Sequence, residues 1–254
     1  MTLEGLEAAW WGPAPDLAPT IVLLHEGLGC VALWRDVPER LAALTGCGVL
    51  AYSRQGYGAS PPAALPRPLT YMHDEALGVL PRVIEAAHLR HFALLGHSDG
   101  GSIATIFAGG VSDARLAGAI LIAPHFFVED VSVSSIEAAK TAYETTDLRA
   151  RLGRYHRDPD NAFRGWNGAW LDPGFRDWRI DTYLPRVTAP LLVLQGEADE
   201  YGTAAQLDCA ARLAGGAVET MLIPGARHAP HLSHGEDVLE ITTRFLNETL
   251  LFAP

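Results

Sequence analysis

The stretch Leu94-Leu95-Gly96-His97-Ser98-Asp99-Gly100-Gly101 constrains this chain more than any other. An apolar strand, Phe92 to Leu95, runs straight into G-x-S-x-G, and a helix-compatible run from Ile103 to Ala108 follows. In that setting the motif has a mechanical meaning: a sharp strand-to-helix turn lifts the serine hydroxyl clear of the sheet. The flanking glycines suit a backbone too crowded for a Cβ. The helix that starts just past Ser98 aims its first amides and its positive dipole end at the place where an oxyanion would form.

Serine is a weak nucleophile at its own pKa and needs a base, which in turn needs an orienting acid. Both partners follow strands, in the order Ser, Asp, His. Asp199 lies in Gln195-Gly196-Glu197-Ala198-Asp199-Glu200 after the strand Leu191 to Leu194. His228 lies in Pro224-Gly225-Ala226-Arg227-His228 after the strand Val218 to Ile223. Glu197 and Glu200 stand as alternatives to Asp199, and His231 and His234 as alternatives to His228. His97 and His125, at strand ends, are expected to orient loops through hydrogen bonds.

Strands at Thr20–Leu24, Val49–Tyr52, Phe92–Leu95, Leu116–Ile122, Leu191–Leu194 and Val218–Ile223 alternate with helical patterns, which predicts a mostly parallel sheet flanked by helices. Helices are expected over Trp34–Leu44, ending at Gly46, over Tyr71–His88 with a kink at Pro81, and over Asp237–Leu251. Little chain precedes Thr20, so the first one or two strands of such a sheet are expected to be short or missing. The stretch from Phe126 to Pro185 breaks the rhythm, with helical patches at Ile136–Thr145 and Asp147–His156 and a dense set of aromatics. It is expected to be a helical cap, residues 126–185, inserted into a core made of residues 1–125 and 186–254.

These pieces resemble the α/β-hydrolase family, over nearly the whole chain. The matching motifs are Leu-Leu-His25-Glu-Gly27-Leu-Gly29, Ser53-Arg54-Gln-Gly56-Tyr-Gly58-Ala-Ser60, Gly96-His-Ser98-Asp-Gly100-Gly101, Gly196-Glu-Ala-Asp199 and Gly225-Ala-Arg-His228. The resemblance implies an α/β-hydrolase fold of the lid-bearing, serine-esterase type. It makes Ser98 the nucleophile, His228 the general base and then acid, and Asp199 the residue that orients it. It puts the oxyanion donors on the backbone amides of Gly27 and Asp99. Related enzymes often carry glycine where Glu26 stands; its carboxylate is expected to point away, tied to a donor such as Arg54.

The reaction so implied is hydrolysis of carboxylic esters with small, medium or aromatic acyl groups, with no cofactor and no metal. Gly56-Tyr57-Gly58 has no third glycine to complete a dinucleotide fingerprint. Candidate pocket walls are Trp34, Phe126, Phe127, Tyr143, Trp166 and Trp170; the aromatics of the cap serve equally well as a small core of the cap itself. The Ser-Asp-Gly-Gly elbow is similar to that of valacyclovir hydrolase, which would let Asp99 hold a substrate amine. The alternative is that Asp99 turns to its own helix N-terminus. Carbon–carbon bond hydrolysis, enol-lactone hydrolysis and a receptor-like binding role share the same machinery.

Composition narrows the partners. A formal net charge of -11, with Lys140 the single lysine, argues against nucleic acid. Three scattered cysteines, Cys30, Cys47 and Cys209, fit a reducing compartment better than a disulfide framework. Neither a signal peptide nor a membrane-spanning run is visible, so a cytoplasmic location with no membrane partner is expected. A homodimer is compatible with the sequence, though no pattern locates its surface.

Overall fold

The computed structural model describes residues 1–251. Eight strands form one sheet in the order β1-β2-β4-β3-β5-β6-β7-β8. They are β1 (Thr2–Leu3), β2 (Leu6–Trp11), β3 (Thr20–Leu24), β4 (Gly48–Tyr52), β5 (Phe92–His97), β6 (Leu116–Ile122), β7 (Leu191–Gly196) and β8 (Val218–Ile223). From β4 to β8 every pairing is parallel; β2 runs antiparallel to both β1 and β4. Both leading strands are therefore present, compressed into the first eleven residues, with β1 only two residues long.

The inner strands are continuous apolar runs because both faces of the sheet are covered. Side chains alternate between two cores with the period of the pleat. Val22, Leu24, Leu94, Leu121 and Val193 face one, while Ile21, Leu23, Leu95, Ile120, Ile122 and Leu194 face the other. Helix α1 (Val37–Thr45) and the closing helix (Gly235–Leu246) close the second core through Val37, Leu41, Val238, Leu239 and Phe245. The first is closed by α2 (Tyr71–Asp74), α3 (Leu80–Ala86) and α4 (Asp99–Gly110), with residues of the stretch between β6 and β7.

Three helices differ in detail from their sequence expectation. The run from Trp34 splits into a 3-10 turn, Val31–Trp34, and α1, with Arg35 at φ 54° between them; Gly46 ends α1 at φ 69° as expected. The helix expected over 71–88 is α2, a π turn at Glu75–Val79, and α3. Pro81 has no N–H to continue the ladder, and the Leu80 amide reaches back five residues to the Glu75 carbonyl. The closing helix ends in another π turn, Asn247–Leu251.

Between β6 and β7 lie α5 (Asp130–Thr145), α6 (Leu148–Leu152) and α7 (Pro159–Trp170), two 3-10 turns, and a single bridge between Phe127 and Arg179. Helix α7 is absent from the sequence expectation, although Asp158-Pro159 announces it. The Asp158 carboxylate accepts from the Asn161 amide, and Pro159 fills the first helical turn where no donor is missed. No helix among the described residues is long and apolar enough to cross a membrane.

Candidate active site

Ser98 sits between β5 and α4 at φ 53°, ψ -117°, a left-handed conformation that costs a non-glycine residue energy and persists only where packing imposes it. Its neighbours must be glycine. A Cβ on Gly96 would lie 2.2 Å from the Gly100 carbonyl oxygen, and one on Gly100 would lie 1.9 Å from that of Leu24. The turn is clamped further by the Ser98 amide, which donates to the Ile122 carbonyl at 2.8 Å.

The loops after β7 and β8 meet Ser98 at this edge of the sheet. His228 Nε2 lies 2.9 Å from Ser98 Oγ, and His228 Nδ1 lies 2.9 Å from both Asp199 carboxylate oxygens. With Nδ1–H donating to Asp199, Nε2 is left as the acceptor for the serine proton. The Asp199 side chain is fully buried and also accepts from the Tyr201 amide at 2.7 Å and from Gln195 Nε2. Burial pushes its carboxyl upward, but the His228 and Tyr201 donors outweigh that and hold it below the usual carboxylate value. His228 is fixed from its backbone as well: its carbonyl accepts from His97 Nε2 at 2.8 Å, and its amide approaches Glu200 at 3.3 Å.

The loop after β3 supplies the facing backbone. His25 is buried, with Nδ1 donating to the Glu26 carbonyl at 2.7 Å and Nε2 accepting from the Arg54 amide at 3.0 Å. Arg54, 1% exposed, donates to the carbonyls of Glu26 (2.8 Å) and His25 (3.2 Å). Arg54 thus holds the backbone of Glu26 and not its carboxylate, which correspondingly is not turned onto Arg54 as expected. The Gly27 amide donates to no protein acceptor among the described residues, and the Asp99 amide is the first of α4. Gly27 has a second reason to lack a side chain, since its Cβ would lie 2.2 Å from the Trp166 indole.

Asp99 does not face the site. It is wholly buried, 3.6 Å from Arg54 Nη1, and accepts from Tyr71 at 2.7 Å and from Trp170 Nε1 at 3.3 Å. It stands in the first turn of α4 as the helix reading expects, but its carboxylate bonds Tyr71 and Trp170 and not the helix amides, and it does not sit where it could hold a substrate amine. Asp99 ties the turn after Ser98 to α7 and to the Arg54 that holds the opposite loop.

A cavity of about 110 Å³ opens beside Ser98 and His228. Of the six aromatics expected to wall it, Trp166 and Trp170 do so. Trp34 packs in the other core against His231, because α1 lies on the far face of the sheet. Phe126 is fully buried away from the cavity lining, while Phe127 pairs its backbone with Arg179. Tyr143 stacks on Phe163 at 3.8 Å and donates to Asp160, forming part of the small core between α5 and α7. The remaining walls include Glu26, His125, Ile136 and Tyr201, which sequence reasoning missed as wall residues. His125 has no hydrogen bond to its ring Nδ1, so it is a wall and not a loop-orienting group. A much larger hollow, about 510 Å³, lies between Ala108 and Pro190 at the opposite edge of the sheet, away from this chemistry. Among the described residues no cluster of three or more His, Cys, Asp or Glu side chains is arranged to hold a metal.

The buried imidazoles make stability depend on pH. His25, His125 and His231 are all held below the ordinary histidine value, mainly by burial, His125 down to about 3. Below pH 6.5 the unfolded chain binds protons that the folded state refuses, so stability falls as pH falls. Three such groups give a slope of about 4 kcal/mol per pH unit once the unfolded imidazoles are charged. Urea midpoints measured at pH 7.5, 6.0 and 5.0 should drop steeply; an unchanged midpoint at pH 5.0 would mean that these rings protonate in place.

The chain belongs to the Alpha/beta hydrolase family, whose profile matches residues 21–241. Among solved structures it is similar to a proline iminopeptidase from Mycobacterium smegmatis, at 20% identity and TM-score 0.74 over 96% of this chain and 94% of that one. An esterase from Exiguobacterium antarcticum matches at 16% identity and TM-score 0.73, covering 94% of each chain. An enol-lactonase from Burkholderia xenovorans LB400 matches at 19% identity and TM-score 0.71, over 95% and 96%. No curated protein matches the sequence significantly. At these identities the neighbours speak for the fold alone.

Proposed function

We propose that the protein is a serine hydrolase that cleaves carboxylic esters of small acyl groups. The observation that carries this reading is the unbroken chain Ser98 Oγ–His228–Asp199, with both links at 2.9 Å, opening on a cavity of about 110 Å³. His228 Nε2 takes the Ser98 proton as Oγ attacks the ester carbonyl, and the amides of Gly27 and Asp99 receive the resulting oxyanion. Collapse of that intermediate expels the alcohol, which takes the proton back from His228 and leaves an acyl group on Ser98. His228 then deprotonates water as it attacks the acyl carbon, and returns that proton to Ser98 Oγ as the acid leaves.

The helices between β6 and β7 act as a cap in this reading. Ile136 of α5 and Trp166 and Trp170 of α7 roof the cavity, which favours short acyl chains over lipids. Gly27 lets the Trp166 indole descend onto the oxyanion loop. Hydrolysis of p-nitrophenyl acetate, butanoate, hexanoate and octanoate tests the assignment. Turnover should be fastest with the two shortest esters and absent in Ser98→Ala. Equal rates in the two proteins would discard the reading and bring enol-lactone or carbon–carbon bond cleavage forward as the substrates to try.

A further inference from the structure

Glu26 lines the cavity beside Ser98, and its charge has no part in the acyl-transfer steps above. The carboxylate folds over Gly29, where a Cβ would lie 2.3 Å from Oε2. Its one ion-pair contact among the described residues is His97 Nδ1 at 3.5 Å, outside hydrogen-bonding geometry. Arg54 does not neutralise it, since that guanidinium binds the Glu26 carbonyl and faces Asp99. Burial pushes the Glu26 carboxyl upward, yet the neighbouring His97 ring pulls it well below the ordinary range, so it stands as an anion.

The remaining walls suit a cation. Trp166, Trp170 and Tyr201 present aromatic surface to the same space, and aromatic faces attract positive charge. His125, held neutral by burial and by His228, adds no positive charge of its own. A neutral ester would develop its oxyanion at the Gly27 amide, one residue from a standing carboxylate, and like charges that close raise the energy of that state. A positive group on the substrate would be attracted by both anions.

We infer that the site selects esters carrying a small organic ammonium group, held by the Glu26 carboxylate against Trp166, Trp170 and Tyr201. The inference rests on the serine-hydrolase reading. It assigns to Glu26 the specificity that the elbow sequence had suggested for Asp99.

The test compares the near-isosteric pair β-alanine methyl ester and methyl butanoate, each rate divided by the ester's own hydroxide-catalysed rate. The wild type should favour the ammonium ester in kcat/KM by about ten- to a hundredfold, the range of a charge-assisted contact. Glu26→Gln should collapse that ratio and Glu26→Asp should keep part of it. A wild-type ratio near one, or the same ratio in Glu26→Gln, overturns the inference while leaving the hydrolase reading in place. A second measurement needs no turnover: Ser98→Ala protein titrated with propylammonium chloride, followed by tryptophan fluorescence. A saturable change that Glu26→Gln removes supports the cation site even if no ester is cleaved. Its absence, with esters still hydrolysed by the wild type, sinks the site alone; its absence with no hydrolysis sinks both.

Discussion

Ser98→Ala and His228→Ala should each lower kcat on a short ester by about a millionfold, and the double variant should be no worse than either. The non-additivity follows from geometry. Ser98 Oγ and His228 Nε2 are 2.9 Å apart and share one proton, so removing either group abolishes the same transfer. Asp199→Asn should lose less, about ten-thousandfold, because the nucleophile and base remain but His228 loses the acceptor that sets its tautomer. Tyr201 and Gln195 also bond this carboxylate, so the asparagine keeps part of its setting. Pre-steady-state and steady-state rates on p-nitrophenyl acetate, with unfolding curves for each variant, check the ordering. Additive losses in the double variant would mean that Ser98 and His228 act in separate steps.

Asp99→Ala should destabilise the fold by about 3–5 kcal/mol, the range for leaving a buried charge without its partner. The orphan is the Arg54 guanidinium, 1% exposed and 3.6 Å from the fully buried Asp99 carboxylate. Two further bonds go with it, those from Tyr71 and Trp170. Because Arg54 also holds the His25 and Glu26 carbonyls, its displacement should loosen the loop that carries Gly27, and activity should fall with stability. Asp99→Asn keeps an acceptor for Tyr71 and should cost less. Urea unfolding of Asp99→Ala, Arg54→Met and the double variant reads the coupling: the double should be more stable than the sum of the singles predicts. Strict additivity would mean that the pair contributes nothing beyond two separate burials.

Much of the site was legible along the chain because its pieces are local. A strand–turn–helix motif places Ser98, and strand-to-loop junctions place Asp199 and His228 at the same edge of the parallel sheet, since every such strand points its carboxyl end one way. The pocket walls were not legible. Trp34, Phe126 and Tyr143 look like Trp166 and Trp170 in a sequence, being large, aromatic and near helical patterns. Which of them meets the nucleophile depends on the face of the sheet to which α1 is attached and on the way α5 and α7 stack, and no local spacing encodes either.

Charge shows the same division. The sequence alone determined that two carboxylates, Glu26 and Asp99, flank the reacting loops, and that the chain order is Ser, Asp, His along a mostly parallel sheet. Which of the two residues lines the cavity follows from packing between distant segments. Arg54 arrives from the loop after β4, some forty-five residues from Asp99 in sequence, and pairs with Asp99 in the interior. Glu26 is left beside Ser98 with His97 as its basic neighbour. Burying an unpaired ion is costly, so the position of one guanidinium sets which acid is sealed in the core and which remains beside the nucleophile.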